Sequence, residues 1–128
     1  MNNFLELKNI YKTFKTEKTI KVLKGLSQKF KKGKIYSLMG PSGSGKSTLL
    51  NIISLIDKPS SGSMKFDKFQ IDFMNNEKND IFRAAKIGIV YQQNNLLADF
   101  TALENIYLAS LSLHNDKKLA ISKAKQLL

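Results

Sequence analysis

Gly40-Pro41-Ser42-Gly43-Ser44-Gly45-Lys46-Ser47-Thr48 is the stretch on which the reading of this chain turns. It satisfies the pattern G-x-x-x-x-G-K-[ST], in which a glycine-rich loop runs from a strand into a helix and turns its backbone N–H groups toward phosphate oxygens. The flanks fit that geometry. Ile35 to Met39 is a short apolar run ending at a glycine, which predicts a buried strand feeding the loop. Ser47 to Asp57 has helical spacing and stops ahead of Pro59. Gly40, Gly43 and Gly45 permit backbone torsions that a Cβ obstructs, and the helix N-terminus adds roughly half a positive charge beside a bound anion. Lys46 is then expected to reach the β- and γ-phosphates of ATP and Ser47 to offer its hydroxyl to Mg2+, with Ser42, Ser44 and Thr48 completing the binding loop.

Working outward, Phe4 to Ile10 and Leu26 to Phe30 alternate apolar and polar side chains, which predicts strands of a small antiparallel sheet before the Lys-Lys-Gly-Lys turn at 31–34. Beyond the Pro-Ser-Ser-Gly turn at 59–62 a short strand pair is expected around Met64 to Phe66 and Phe69 to Ile71. A short helix led by Asn75 to Asp80 runs to Ala85, and Ile87 to Tyr91 reads as a second buried strand with Gln92 at its end. Thr101-Ala-Leu-Glu104 is a capping box for a helix whose mainly apolar face carries Leu103, Ile106, Tyr107, Ser110 and Leu111. Asn115 is placed to cap a last helix, striped by Ala120, Ile121, Ala124, Leu127 and Leu128.

Composition narrows the chemistry. The 128 residues, 42% hydrophobic and 24% charged, suit one domain with one modest core. With no cysteine, disulfides, thiolate metal sites and cysteine nucleophiles are excluded, and the single histidine, His114, excludes a multi-histidine site. Charged residues break the N-terminus before a signal-peptide core forms, and Leu49 to Ile56 is far short of the roughly 20 residues needed to cross a bilayer. Any membrane association is therefore expected to be peripheral. The net charge of +11 favours acidic partners, but the lysines are scattered and read as a solvated surface.

Over essentially the whole chain the sequence resembles the nucleotide-binding subunit of ABC transporters. Leu7-Lys-Asn-Ile-Tyr-Lys-Thr-Phe14, Val22-Leu-Lys-Gly-Leu-Ser27 and Lys32-Gly-Lys34 look like that family's N-terminal sheet, and Ile52 to Gly62 like its post-loop helix and turn. Ile87-Gly-Ile-Val-Tyr-Gln92, followed by Leu96-Leu97 and Thr101-Ala-Leu-Glu-Asn105, resembles its Q-loop and the entry to its helical subdomain. The resemblance implies an α/β P-loop NTPase fold with an N-terminal antiparallel β-subdomain. Residues 1–91 would form the β-subdomain and P-loop core, and residues 92–128 the Q-loop and start of the helical subdomain. It implies that Gln92 approaches Mg2+ or the attacking water and couples the site to a transmembrane permease, and that Phe14, with Tyr11 as a substitute, stacks on adenine. Val22 is placed either near that ring or in the core.

Asn51 to Asp57 and Leu97 to Ile106 look most like the lipoprotein-release and macrolide-export type, although Ser54 and Lys68 stand where glycines are usual. The implied protein is cytoplasmic, peripheral on the inner face of the membrane, paired with a second ATP-binding subunit and without a nucleic-acid partner. A Leu-Ser-Gly-Gly-Gln signature and an apolar strand ending in Asp-Glu do not occur in the sequence, Asp72 and Asp99 do not serve as substitutes, and His114 is expected at the surface without a role. The expectation is thus a chain truncated within the helical subdomain, an ATPase by resemblance but doubtful as a hydrolase alone. Three alternatives stay open: a soluble ABC-type ATPase acting on nucleic acid or ribosomes, a kinase of the guanylate type, and a nucleotide-binding remnant without turnover.

Overall fold

Alternating side chains along Asn3–Lys15 and Thr19–Lys31 produce two antiparallel strands, β1 and β2, of 13 residues each. With β3 (Ser61–Phe66) and β4 (Phe69–Gln70) they make a four-stranded sheet in the order β2-β1-β3-β4. This is a computed structural model, and it describes residues 3–114 and 116–128, the side chains at 112–114 excepted. The chain divides into two compact units, the first ending at Asn79 and the second beginning at Asp80.

In the first unit the strand register sets two faces. Leu5, Leu7, Ile10 and Lys12 of β1 are buried, and across the ladder they meet Phe30, Gln28, Leu26 and Leu23 of β2 on the same side. A register shift between Leu7 and Ile10, with Asn9 at φ 50°, keeps the apolar residues on the core side. Leu7 and Ile10 join Ile52 and Met64 as the largest fully buried side chains, so the core lies among β1, β3 and the helix that follows the glycine loop. The β3–β4 hairpin turns through Asp67-Lys68, where Asp67 takes φ 49°, a left-handed torsion that aspartate tolerates.

That helix, α1 (Lys46–Ile53), stops short of the Asp57 expected from spacing. The Ser54 hydroxyl donates to the Leu50 carbonyl at 2.7 Å, Leu55 reverses the chain at φ 59°, and the Ile56 and Asp57 N–H groups both donate to the Asn51 carbonyl, at 2.9 and 3.1 Å. Lys12 Nζ then donates to Asp57 Oδ1 and to the Lys58 carbonyl, each at 2.7 Å, fastening β1 to the turn beyond α1.

Helix α2 (Asn76–Lys86) is capped by Asn75, whose Oδ1 accepts from the Lys78 N–H at 3.0 Å. In the second unit α3 (Ala102–His114) and α4 (Lys117–Leu127) pack together. Of the predicted stripe on α4, Ala120 and Ala124 are buried, whereas Leu127 and Leu128 are exposed. The cap of α4 is Asp116, which accepts from the Leu119 N–H at 3.0 Å; the cap expected at Asn115 and the surface position expected for the His114 side chain lie outside the described residues.

Two expectations are corrected. Ile35–Met39 and Ile87–Tyr91 form no strand, and, apart from the half-buried Ile87, their apolar side chains are exposed, Ile35 and Val90 completely so. A strand needs a neighbour that exchanges hydrogen bonds along its length. Among the described residues the sheet offers no such neighbour to the first segment, and the second unit contains no sheet.

Candidate functional site

The loop from Gly40 to Gly45 folds into a tight curve closed by the Ser44 N–H donating to the Pro41 carbonyl at 3.3 Å. Gly43 and Gly45 have φ of 77° and 90°, a region costly for residues with a Cβ. At Gly45 a Cβ would also lie 2.9 Å from Val22 Cγ1 and 3.2 Å from Leu23 Cδ2. Gly45 therefore lets the loop rest on β2 while turning into α1. Val22, half-buried, packs against the loop.

Helix α1 starts at Lys46 with Gly45 as N-cap and no side-chain hydrogen bond to its first turn. Its first intrahelical N–H is that of Leu49, which donates to the Gly45 carbonyl at 2.9 Å. The N–H groups of Lys46, Ser47 and Thr48 precede this ladder and lie at the positive end of the helix dipole. Lys46 turns back over the loop: its Nζ donates to the carbonyls of Gly40 and Pro41, each at 2.7 Å, with Ser44 Oγ at 3.5 Å. Ser42 and Ser47 are exposed and Thr48 is partly covered.

This arrangement fits a polyphosphate. It concentrates N–H donors, one ammonium and four hydroxyls on a short arc, with no carboxylate in the Gly40–Thr48 run. The Ser47 hydroxyl, in the first turn of α1, suits an oxygen-seeking cation such as Mg2+. A cleft of about 690 Å3 opens beside the loop along β2, lined by Ile20 to Lys24, Leu26, Ser27, Gly43 and Ser44.

Phe14 lies near the end of β1, opposite Ile20, one of the cleft residues. Its ring is 40% exposed and carries Lys12 Nζ at 5.0 Å from its centroid, so one face is already engaged by a cation. Tyr11, between the core-facing Ile10 and Lys12, lies on the opposite side of the strand from Phe14 and is not interchangeable with it.

Gln92 belongs to the second unit, where it is exposed in a bend at 92–93. Downstream the chain is held firmly. The Asn105 side chain accepts from the Leu97 N–H at 2.8 Å and donates to the carbonyls of Leu97, Phe100 and Thr101 at 3.0 to 3.1 Å. Thr101 and Glu104 form the predicted capping box: the Glu104 N–H donates to Thr101 Oγ1 at 3.2 Å, and the Thr101 N–H to Glu104 Oε2 at 2.8 Å. The Thr101 backbone and hydroxyl hydrogen bonds hold the Glu104 carboxyl below its ordinary value.

The sequence reading missed the clamp by Asn105 and the pairing of Lys12 with Asp57. The signal for Lys12 was present, because it occupies a core-facing place in an otherwise apolar row; the clamp had no periodic signal to betray it.

Comparison with known proteins gives a consistent result. The family described as ABC transporter matches residues 23–128. The ATP-binding protein LolD of the lipoprotein-releasing system of Ehrlichia chaffeensis is 37% identical over 129 residues, covering 100% of this chain and 55% of its own length. An uncharacterized ABC transporter ATP-binding protein of Methanocaldococcus jannaschii, MJ0796, is 45% identical over 105 residues, covering 81% of this chain and 45% of its own. Among solved structures, the dimeric post-hydrolysis state of the MJ0796 cassette bound to ADP and Pi matches with a TM-score of 0.84 at 38% identity, over 95% of this chain and 54% of that one. This chain spans about half the length of the curated relatives it matches.

Proposed function

The chain belongs to the ABC transporter family, and we propose that its Gly40–Thr48 loop holds the phosphates of Mg-ATP within an ATP-binding subunit that energises a transporter of the lipoprotein-release or exporter type. The observation that carries this reading is the uncapped N-terminus of α1, entered through left-handed glycines with Lys46 folded over the loop.

In this reading the backbone N–H groups of the loop and first turn of α1 bind phosphate oxygens, and Lys46 exchanges two neutral carbonyls for the β- and γ-phosphates. Ser47 would be the loop residue that holds Mg2+, which would supply positive charge against the phosphates. Phe14 stacks on adenine through its open face, while Lys12 fixes the ring from the other. Gln92, by its likeness to the family's Q-loop, would serve the nucleotide chemistry and relay its state to a permease. ADP and Pi in the MJ0796 cassette support nucleotide as the ligand, and its dimeric state supports pairing with a second ATP-binding subunit. The transporter names of the relatives, among them cbiO1 of Clostridium perfringens, described as part of the complex cbiONQ, support a permease partner and, with it, a peripheral position on the cytoplasmic face of the membrane.

The test is a titration of the 128-residue chain with a fluorescent ATP analogue and Mg2+, with Lys46→Ala as the comparison and phosphate release followed in parallel. Saturable binding that the variant loses is the expected result. Equal binding by folded Lys46→Ala protein would overturn the assignment of the loop.

A further inference from the structure

The ladder that points Leu7, Ile10 and Lys12 toward the core points their neighbours the other way, and on that outer face the charges are almost all of one sign. Lys8 and Lys15 of β1, Lys21, Lys24 and Lys29 of β2, and Lys65 of β3 occupy outward positions and are exposed. Against them stands Glu6, the one carboxylate on this face among the described residues, which pairs with Lys29 at 3.3 Å. Neighbouring strands lie about 5 Å apart and same-face residues about 7 Å apart along a strand, within a Debye length of about 8 Å at physiological salt. The potentials of these ammonium groups therefore add over the face.

Protection of a sheet edge explains lysines beside an open edge. It accounts for those of β2, and for Lys15, which lies beyond the last β1–β3 pair at Tyr11, but not for Lys8 and Lys65, which have a strand on either side within the interior strands β1 and β3. We propose that this lysine-rich outer face of β1, β2 and β3 is an electrostatic docking surface for an anionic lipid bilayer. The residue types favour lipid over nucleic acid. Every cation on the face is a lysine, a compact point charge suited to a diffuse layer of headgroups, and none is the planar, phosphate-gripping arginine; the chain's single arginine, Arg83, is on α2. The exposed ring at the middle of the face, Tyr11, is laid against Gly25, where an added Cβ would meet its hydroxyl at 2.7 Å, rather than standing out as a platform for bases.

The inference reaches past the nucleotide site and does not rest on it. Co-sedimentation of the full chain with vesicles containing phosphatidylglycerol, against vesicles of phosphatidylcholine alone, is the experiment. Binding is expected only to the anionic vesicles and is weakened by salt. Lys8→Gln, Lys15→Gln and Lys65→Gln combined should lower it roughly a hundredfold, at roughly fivefold per lysine. Neutralising the same number of charges on α4, as Lys118→Gln, Lys123→Gln and Lys125→Gln, should leave it unchanged. Circular dichroism establishes that both triples keep the fold, and Lys46→Ala should bind vesicles normally while losing nucleotide, so either reading can fail alone. Equal losses from the two triples, salt-insensitive binding to phosphatidylcholine, or displacement from anionic vesicles by single-stranded RNA that the Lys8, Lys15 and Lys65 triple no longer binds would each overturn the proposal.

Discussion

Helix α1 and helix α3 begin in opposite ways. At α3 the Thr101 hydroxyl and the Glu104 carboxylate satisfy donors reciprocally, and α2 and α4 likewise have side-chain acceptors in Asn75 and Asp116. At α1 the cap is Gly45, with no side-chain acceptor for its first turn. A side-chain cap contributes about 1 kcal/mol. Three helices take that stability from their own sequence; α1 forgoes it and presents its donors outward. The contrast separates a helix start that serves the fold from one that serves a ligand.

Four experiments press on this contrast. The largest effect is expected from Lys46→Ala, which should weaken Mg-ATP analogue binding roughly 10- to 100-fold through loss of charge-assisted bonds, measured by fluorescence titration. Gly45→Ala should cost about 1–2 kcal/mol from the left-handed torsion alone, with further cost from the crowding of Val22, seen as a lowered urea midpoint. Thr101→Ala should cost about 1 kcal/mol, read as lost hydrogen-exchange protection at the start of α3 with the nucleotide titration unchanged; a change in that titration would erase the distinction between the two helix starts. The smallest effect concerns pH. The Glu104 carboxyl is held below its ordinary value of 4.5, so its capping contribution is full above pH 4.5 and is lost as pH falls through the lower folded value. Exchange protection of α3 should follow that loss in the native chain and be flatter over the same range in Glu104→Gln.

What the sequence disclosed follows from how far each signal reaches along the chain. The loop and the capping box are local patterns, and both Gly40–Thr48 and Thr101–Glu104 were legible from residue types at fixed offsets. The β1–β2 and β3–β4 pairs were legible because alternation is also local. Ile35–Met39 and Ile87–Tyr91 read as strands from their apolar runs, but pairing is decided by what lies alongside, which no run of residues states for itself. The lysines were misread as scattered for a related reason: the shift around Asn9 and the irregular pairing near Gly25 decide which of them share a face, and neither follows from counting by twos. The end of α1 was overrun because helical spacing continues past Ser54, while the hydroxyl of Ser54 and the reversal at Leu55 end it.

The grip of Lys46 on the carbonyls of Gly40 and Pro41 has a kinetic consequence. A cation spanning both ends of the loop keeps the curve drawn in advance, so the entropy of shaping it is spent during folding rather than at each encounter with a ligand. What remains on binding is the swing of one flexible side chain from neutral to charged acceptors, a rotamer change on the picosecond-to-nanosecond scale. Arrival of an anion at this loop is therefore limited by diffusion and by the cleft beside β2, not by rearrangement of the backbone, and its departure waits on the ammonium letting go.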